Sequence, residues 1–303
     1  MPRMLFRRML MKRIVLLALL FCCFTSPSFA KINVVATLPW IGSIASYLGK
    51  DQVNVTTLVK PSQDPHLIEA KPSMILASRK ADIIMYNGLD LEIGYLPLLI
   101  ESSRNPKIQP GQKGNFDCSR YVTVLEKPIA VDRSMGDVHP LGNPHYHFSP
   151  GNIGKIADGM AQALSEVDPA NGEFYRANGM AFQKLLQEKE KEWMRTAPRG
   201  KKFIAYHKFF EYLAHDFGFE IIGYIEEKPG IPPSASHVEK LVASLRQEKP
   251  NAILTTGYYE RKAPDYLSQK TGVKVVVVPN DVGAVPQAKD WFSLMDQVLA
   301  VLQ

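Results

Sequence analysis

The 303-residue sequence is poor in cysteine and in long apolar runs. Its three cysteines are Cys22, Cys23 and Cys118, and the first two lie in an N-terminal apolar stretch. The rest of the chain therefore has one cysteine, which excludes an internal disulfide framework and a cysteine-based metal cluster. After residue 30, no apolar run approaches the roughly 20 residues that a membrane-spanning helix needs.

An excess of charge of one sign is also missing once the first 30 residues are set aside. The whole chain has a net charge of +6, but residues 1–30 hold five basic residues and no acidic one, so residues 31–303 carry only +1. A nearly neutral chain gives no electrostatic reason to expect binding to nucleic acid or to an anionic membrane.

Residues 1–30 have the three parts of a secretory signal peptide. A basic segment precedes the apolar segment "IVLLALLFCCF", and small side chains follow at Ser28 and Ala30. We expect cleavage after Ala30 and export to the periplasm. The bulky Leu20 and Phe21 precede the cysteine pair, where a lipoprotein signal has small residues, so a lipid anchor is not expected.

What the sequence does contain is a repeated alternation of strand and helix patterns. "INVVATLP" is followed by "WIGSIASYLG" near the start, and "KKFIAYH" by "KFFEYLAHDFG" in the second half. Short β-branched runs that alternate with helical patterns predict βα units and parallel sheets. Residues 94–142 show neither pattern and are expected to be irregular.

A longer helical pattern separates the two sets of βα units. From Asp168 onward, Phe182, Leu186 and Trp193 fall on one helical stripe, which predicts a helix of about 28 residues and roughly 40 Å. We therefore predict two Rossmann-like α/β lobes joined by one long rigid helix. The predicted boundaries are 31–167 for the first lobe, 168–197 for the helix and 198–303 for the second lobe.

Polar side chains follow several of the predicted strands, where open α/β sheets bind their ligands. His66 and Asp281 each come after a strand, and His207 ends one. The turn-rich segment 136–152, "GDVHPLGNPHYHFSPGN", adds three histidines and is expected to be an exposed loop. Three imidazoles and one carboxylate suit zinc, whereas manganese prefers more oxygen ligands. The sequence therefore predicts a metal site in the cleft between the lobes, with the ligand from the loop left open.

Four segments in this order carry a resemblance to a known family: "DPHLIEAKPS", "ADIIMYNGLDLE", "GNPHYHFSPGNIGKIA" and "IAYHKFFEYLAHDFG". Together they resemble the zinc- and manganese-binding solute-binding proteins of bacterial ABC transporters, in the zinc-importing subgroup. The resemblance implies metal ligands at His66, His145, His207 and Asp281. It also implies a monomer, not an enzyme, that delivers Zn(II) to an inner-membrane ABC permease, with a periplasmic metallochaperone as a further partner.

The other two histidines of the loop are His139 and His147, and they lie within nine residues of each other. We expect them to capture metal transiently and pass it to the site. His147 stands where the family pattern has an aromatic residue, so it is also an alternative ligand. Glu69, in the first of the resembling segments, is expected to orient a ligating histidine through a hydrogen bond.

Two alternatives to a zinc importer stay open at this point. The first is an exported zinc hydrolase in which three histidines hold the metal and Asp281 acts as general base. The second is a manganese-binding member of the same transporter family.

Overall fold

The computed structural model describes residues 31–130, 136 and 139–303. The predicted signal peptide, residues 1–30, lies outside the described residues. Within them, no helix has both the length and the apolar character required to cross a bilayer.

The N-terminal lobe is built on a parallel four-stranded sheet. The elements of this lobe are β1 (Ile32–Ala36), α1 (Pro39–Gly49), β2 (Val53–Thr57), α2 (Pro72–Lys80), β3 (Ile83–Tyr86), α3 (Leu96–Ser103) and β4 (Asn115–Asp117). The strand order is β2-β1-β3-β4. Buried apolar side chains line the central strands β1 and β3, as parallel strands covered by helices require.

The C-terminal lobe repeats this arrangement with four parallel strands, in the order β6 (Glu220–Tyr224), β5 (Lys202–Ala205), β7 (Ala252–Thr255) and β8 (Val275–Val277). Two of its helices end at glycines in the left-handed conformation, Gly218 at φ 71° and Gly272 at φ 76°, where a side chain would be strained. The elements are β5 (Lys202–Ala205), α6 (Glu211–Phe217), β6 (Glu220–Tyr224), α7 (Ala235–Glu248), β7 (Ala252–Thr255), α8 (Lys262–Thr271) and β8 (Val275–Val277). The predicted pair of parallel α/β lobes is confirmed.

Two helices connect the lobes along the chain. They are α4 (Pro150–Val167) and the long helix α5 (Gly172–Thr196). The 25 residues of α5 span about 38 Å. The helix begins later than the sequence predicts, because Pro169–Asn171 form a separate 3-10 turn. The carboxylate of Asp168 does not cap a helix there but accepts a hydrogen bond of 2.6 Å from Tyr175 Oη.

The C-terminal helix α9 (Trp291–Val301) returns to the N-terminal lobe and packs against α1 and α5. The backbone N–H of Trp291 donates to Ser43 Oγ at 3.0 Å, and Trp193 Nε1 donates to Asp296 Oδ1 at 2.7 Å. One hydrophobic cluster contains buried residues of both sheets, such as Val34 and Leu254. As a result, Ile32–Gln303 forms one compact unit.

The expectation that residues 94–142 are irregular is wrong for the described part of that segment, which contains α3 and β4. The strand β4 has three residues and a single buried apolar side chain, Phe116, so it is too short to show alternation. The apolar run "YVTVL" forms no strand; Val122, Val124 and Leu125 instead pack against the core.

Candidate metal site

The candidate ligand His66 follows β2 and lies on the short 3-10 turn Pro65–Leu67. Asp64 caps this turn, because its Oδ1 accepts from the backbone N–H of His66 at 3.0 Å. The same oxygen accepts a hydrogen bond of 2.7 Å from His66 Nδ1. Burial acts to raise the pKa of Asp64, but the hydrogen bonds and charge of His66 outweigh it and hold that pKa below its usual value. His66 Nε2 is buried and has no partner among the described residues.

His207 has a similar arrangement in the other lobe. It follows β5, and its Nδ1 donates a hydrogen bond of 2.6 Å to Oε2 of Glu226, which follows the neighbouring strand β6. Both side chains are nearly buried, with 7% and 9% of their surface exposed. The carboxylate therefore fixes the proton on Nδ1 and leaves the lone pair on Nε2 for a metal ion.

His145 lies just before the 3-10 turn Tyr146–Phe148, which leads into α4. Its backbone N–H donates to Asn143 Oδ1 at 2.9 Å, and its ring lies 4.4 Å from the Phe209 ring. Burial, followed by the neighbouring histidines, lowers the pKa of His145 well below its usual value, so the metal-free imidazole is neutral. Its Nε2 is also buried without a partner in the described part of the chain.

The structure brings these three imidazoles together. One nitrogen from each of His66, His145 and His207 lies within 4.8 Å of the other two. The ring centroids are 5.2 Å apart for His66 and His145, 5.6 Å for His66 and His207, and 5.4 Å for His145 and His207. Tetrahedral zinc needs ligating nitrogens about 3.3 Å apart, given Zn–N bonds of about 2.05 Å. The three imidazoles thus lie within reach of a single metal ion.

His139 lies beside this cluster, with its ring 5.2 Å from that of His66 and 6.5 Å from that of His145. Its Nε2 is buried and unpartnered among the described residues. Burial and the charges of His66 and His207 lower the pKa of His139 to about 3, although a hydrogen bond to the Leu89 backbone opposes them.

His147 is placed differently from the other histidines of the segment. Its Nε2 donates to the Asn280 carbonyl at 3.0 Å, and its ring stacks on that of Trp40 at 6.2 Å. Burial lowers its pKa to about 4. The expectation of an exposed loop is therefore wrong for His145 and His147, because aromatic side chains of both lobes enclose this segment.

Asp281 and Glu69 lie outside the three-histidine cluster. Asp281 follows β8, is buried, and accepts a hydrogen bond of 2.7 Å from the backbone N–H of Val282 through its Oδ1. Burial raises its pKa well above the usual value. Glu69 is exposed, and the carboxylate that contacts His66 is Asp64.

Sequence reasoning missed Asp64 and Glu226, the carboxylates that hold His66 and His207. Asp64 precedes His66 by two residues, so its position in "DPH" was an available signal. Glu226 lies 19 residues after His207, and only the pairing of β5 with β6 brings the two together.

A cavity of about 760 Å³ opens beside His66 and His207. Four carboxylate side chains and one lysine line it, so its negative charge favours entry of a cation. They are Asp64, Glu226, Glu239, Glu260 and Lys262. A second cavity of about 20 Å³, lined by His145, Tyr258 and Asp281, has room for one water molecule.

The chain matches the family model for the periplasmic component A of the zinc-uptake complex, ZnuA, over residues 34–303. It belongs to this family. The chain is 24% identical over 284 residues to the high-affinity zinc uptake system protein ZnuA of Bacillus subtilis (strain 168). The aligned region covers 90% of this chain and 87% of that protein.

Other relatives are named for other metals. The chain is 27% identical over 257 residues to the iron-binding protein YfeA of Yersinia pestis, with 82% of this chain and 77% of that protein covered. It is 28% identical over 255 residues to the manganese ABC transporter substrate-binding lipoprotein PsaA of Streptococcus anginosus, with 81% and 78% covered.

Solved structures share the fold. A crystal structure of ZnuA superposes with a TM-score of 0.74 at 22% identity, covering 90% of this chain and 98% of that one. The protein FpvC from Pseudomonas aeruginosa, in complex with Mn²⁺, gives a TM-score of 0.72 at 21% identity, covering 90% and 99%.

The chain is therefore a metal-binding substrate-binding protein of the ABC transporter class, which works with a membrane permease and an ATPase. Proteins of this family are not enzymes, so the alternative of an exported zinc hydrolase is wrong.

Proposed function

We propose that this protein captures Zn(II) in the periplasm, after cleavage at Ala30, and delivers it to an inner-membrane permease. The observation that supports zinc most strongly is the donor set. Three imidazole nitrogens approach one point, and the described group of potential ligands contains no carboxylate. Nitrogen-rich tetrahedral sites favour zinc, whereas manganese prefers oxygen ligands.

The ligands in this proposal are His66, His145 and His207, with His139, which lies beside that group and not in it, as the fourth. Its unpartnered Nε2 and its ring distance of 5.2 Å to His66 support that role. Asp281, the fourth ligand that the sequence predicts, is the competitor for this position. Its Oδ1 accepts a hydrogen bond from the backbone N–H of Val282, which leaves the carboxylate with lone pairs for an ion. In this proposal the ion enters through the 760 Å³ cavity, because the carboxylates that line the cavity attract a cation.

Beyond the permease, we propose one further partner, a periplasmic metallochaperone that loads the site. In this proposal the protein itself is a monomer. Sedimentation of the purified protein at several concentrations tests the monomer. A concentration-dependent increase in mass contradicts it.

The decisive experiment measures metal content and affinity in protein purified from the periplasm without refolding. The intact mass first tests cleavage after Ala30. Elemental analysis then identifies the bound metal, and competition titrations with Zn(II), Mn(II) and Fe(II) rank their affinities. We expect one tightly bound zinc per chain.

His145→Ala and His215→Ala form a matched pair for the same titration. Both remove one imidazole, but His215 is 67% exposed on α6 and lies outside the cluster. We expect His145→Ala to lose tight zinc binding and His215→Ala to keep it. Tighter binding of manganese or iron than of zinc overturns the metal assignment, and equal behaviour of the two variants overturns the ligand assignment.

A further inference from the structure

Each lobe contributes one carboxylate–imidazole pair to the candidate site. In the N-terminal lobe, Asp64 Oδ1 lies 2.7 Å from His66 Nδ1, and in the C-terminal lobe, Glu226 Oε2 lies 2.6 Å from His207 Nδ1. All four side chains are mostly or almost wholly buried, with at most 18% of the surface of any one exposed. Two distant parts of the sequence thus produce the same arrangement at the same place.

This arrangement has three chemical consequences. An ionised carboxylate can only accept a hydrogen bond, so each pair holds the proton on Nδ1 and directs the Nε2 lone pair toward the cluster. The negative charge behind each ring makes its Nε2 a stronger donor. The two carboxylates also supply two negative charges beside a divalent cation, which a cluster of neutral imidazoles does not supply.

The pairs also bear on which metal binds. Carboxylate oxygens are the ligands that manganese prefers, but here each is hydrogen-bonded to an imidazole. The ion therefore encounters imidazole nitrogens that the two carboxylates have made more basic. Neither Asp64 nor Glu226 offers it a free carboxylate. For a given set of donors, zinc binds more tightly than manganese, and stronger nitrogen donation increases that difference.

We propose that Glu226 and Asp64 are positioning residues that set the selectivity of this site for zinc over manganese. They act through His207 and His66 and do not ligate the ion. The inference rests on the proposed zinc function.

A purely structural role is the alternative. The bond between Glu226 and His207 also ties the end of β6 to the end of β5, and Asp64 caps the turn that carries His66. Under that alternative, the substitutions would change stability and would weaken every metal by the same factor.

The test compares Glu226→Gln and Asp64→Asn with Asp216→Asn in protein purified after export. Asp216 is the matched control, because its Oδ1 makes the same kind of pair with His215 Nδ1 at 2.8 Å and neither residue belongs to the three-histidine group. Its Oδ2 also accepts a hydrogen bond of 2.6 Å from Ser149 Oγ, and the amide oxygen of the asparagine can still accept that bond. Glu226→Gln is the more informative variant. Because Asp64 also caps the turn that carries His66, Asp64→Asn changes two interactions at once. Circular dichroism and thermal unfolding confirm that each variant is folded before metal is added.

Three measurements follow on each variant: zinc affinity, manganese affinity and the visible spectrum of the Co(II) form. We expect Glu226→Gln and Asp64→Asn to bind zinc about 10- to 100-fold more weakly. Manganese affinity should fall less, so the zinc-to-manganese ratio decreases. The Co(II) d–d bands should shift because the imidazole orientation changes, and Asp216→Asn should match the wild type in all three.

Two results overturn the inference while the proposed function stands: zinc affinity within twofold of wild type in both variants, or equal losses for zinc and manganese with an unchanged Co(II) spectrum. A wild-type protein that prefers manganese overturns the proposed function and the selectivity part of the inference together. The positioning part is then decided by the same variants, measured with the metal that the wild type prefers.

Discussion

The indole of Trp291 connects the C-terminal helix to the segment that carries His145, and Trp291→Phe should weaken both folding and zinc binding. Trp291 is 1% exposed, and its Nε1 donates to the His147 carbonyl at 2.8 Å. Phenylalanine keeps an aromatic ring but has no N–H, so it leaves that carbonyl without its buried donor.

The expected loss of stability has two parts. A buried acceptor left without a partner costs about 1–3 kcal/mol. The smaller ring leaves a void of roughly 40 Å³, which costs about 1 kcal/mol at roughly 24 cal/mol per Å³. We therefore expect the free energy of unfolding of the metal-free protein to fall by about 2–4 kcal/mol, measured by urea denaturation.

Zinc affinity should fall as well, because the His147 carbonyl belongs to the turn that directly follows His145. If the substitution destabilises the metal-binding conformation of that turn by about 1.4 kcal/mol, zinc affinity should fall about tenfold. Competition titration against a chromophoric chelator measures it.

Trp193→Phe is the matched control. Trp193 is also buried and lies 5.7 Å from Trp291, but its Nε1 donates to Asp296, whose side chain is 36% exposed and accessible to water. We expect a loss of about 1 kcal/mol of stability, mainly from the smaller ring, and an unchanged zinc affinity. The reasoning is refuted if both variants weaken zinc equally, or if Trp291→Phe is destabilised and binds zinc normally.

Three further predictions concern stability. Burial raises the pKa of Glu92 from 4.5 to about 7, so the folded state retains this proton to higher pH than the unfolded state. Stability should therefore fall by about 3 kcal/mol as pH rises from 4.5 through 7, and Glu92→Gln should flatten that slope in urea titrations at pH 5 and 8. Gly142→Ala should lower the unfolding midpoint more than Gly111→Ala. Both glycines have positive φ, but the new Cβ at Gly142 would clash with Val124 Cγ1, whereas Gly111 has open space. Removing zinc with a chelator should lower the free energy of unfolding by about 2.7 kcal/mol when free zinc had been at 100 times its Kd; no shift in calorimetry would contradict specific binding.

The sheets could be predicted from the sequence because their signal is local. The segment "INVVA" of β1 and the helix that follows carry their burial pattern within a few residues. The helix α3 and strand β4 were missed for the opposite reason: with eight and three residues, they are too short to show a period.

Only those residues of the metal site that directly follow a strand could be predicted from the sequence. His66 and His207 follow β2 and β5 directly, so their meeting at one edge follows from the parallel sheets. The environment of His147 could not be predicted, because its Nε2 bonds to Asn280, 133 residues later in the chain. Glu226 was missed because strand pairing, and not sequence spacing, brings it to His207.

The shared hydrophobic cluster has a consequence for how this molecule could be divided. Each lobe has its own sheet, yet α9, at the end of the chain, packs against α1 near its beginning, and buried residues of both lobes belong to one cluster. A fragment that ends before α9 would expose the apolar faces of α1 and α5 that α9 covers. Neither lobe is therefore a self-sufficient module, and chimaeras with relatives should exchange the α1, α5 and α9 surfaces together rather than one half of the chain.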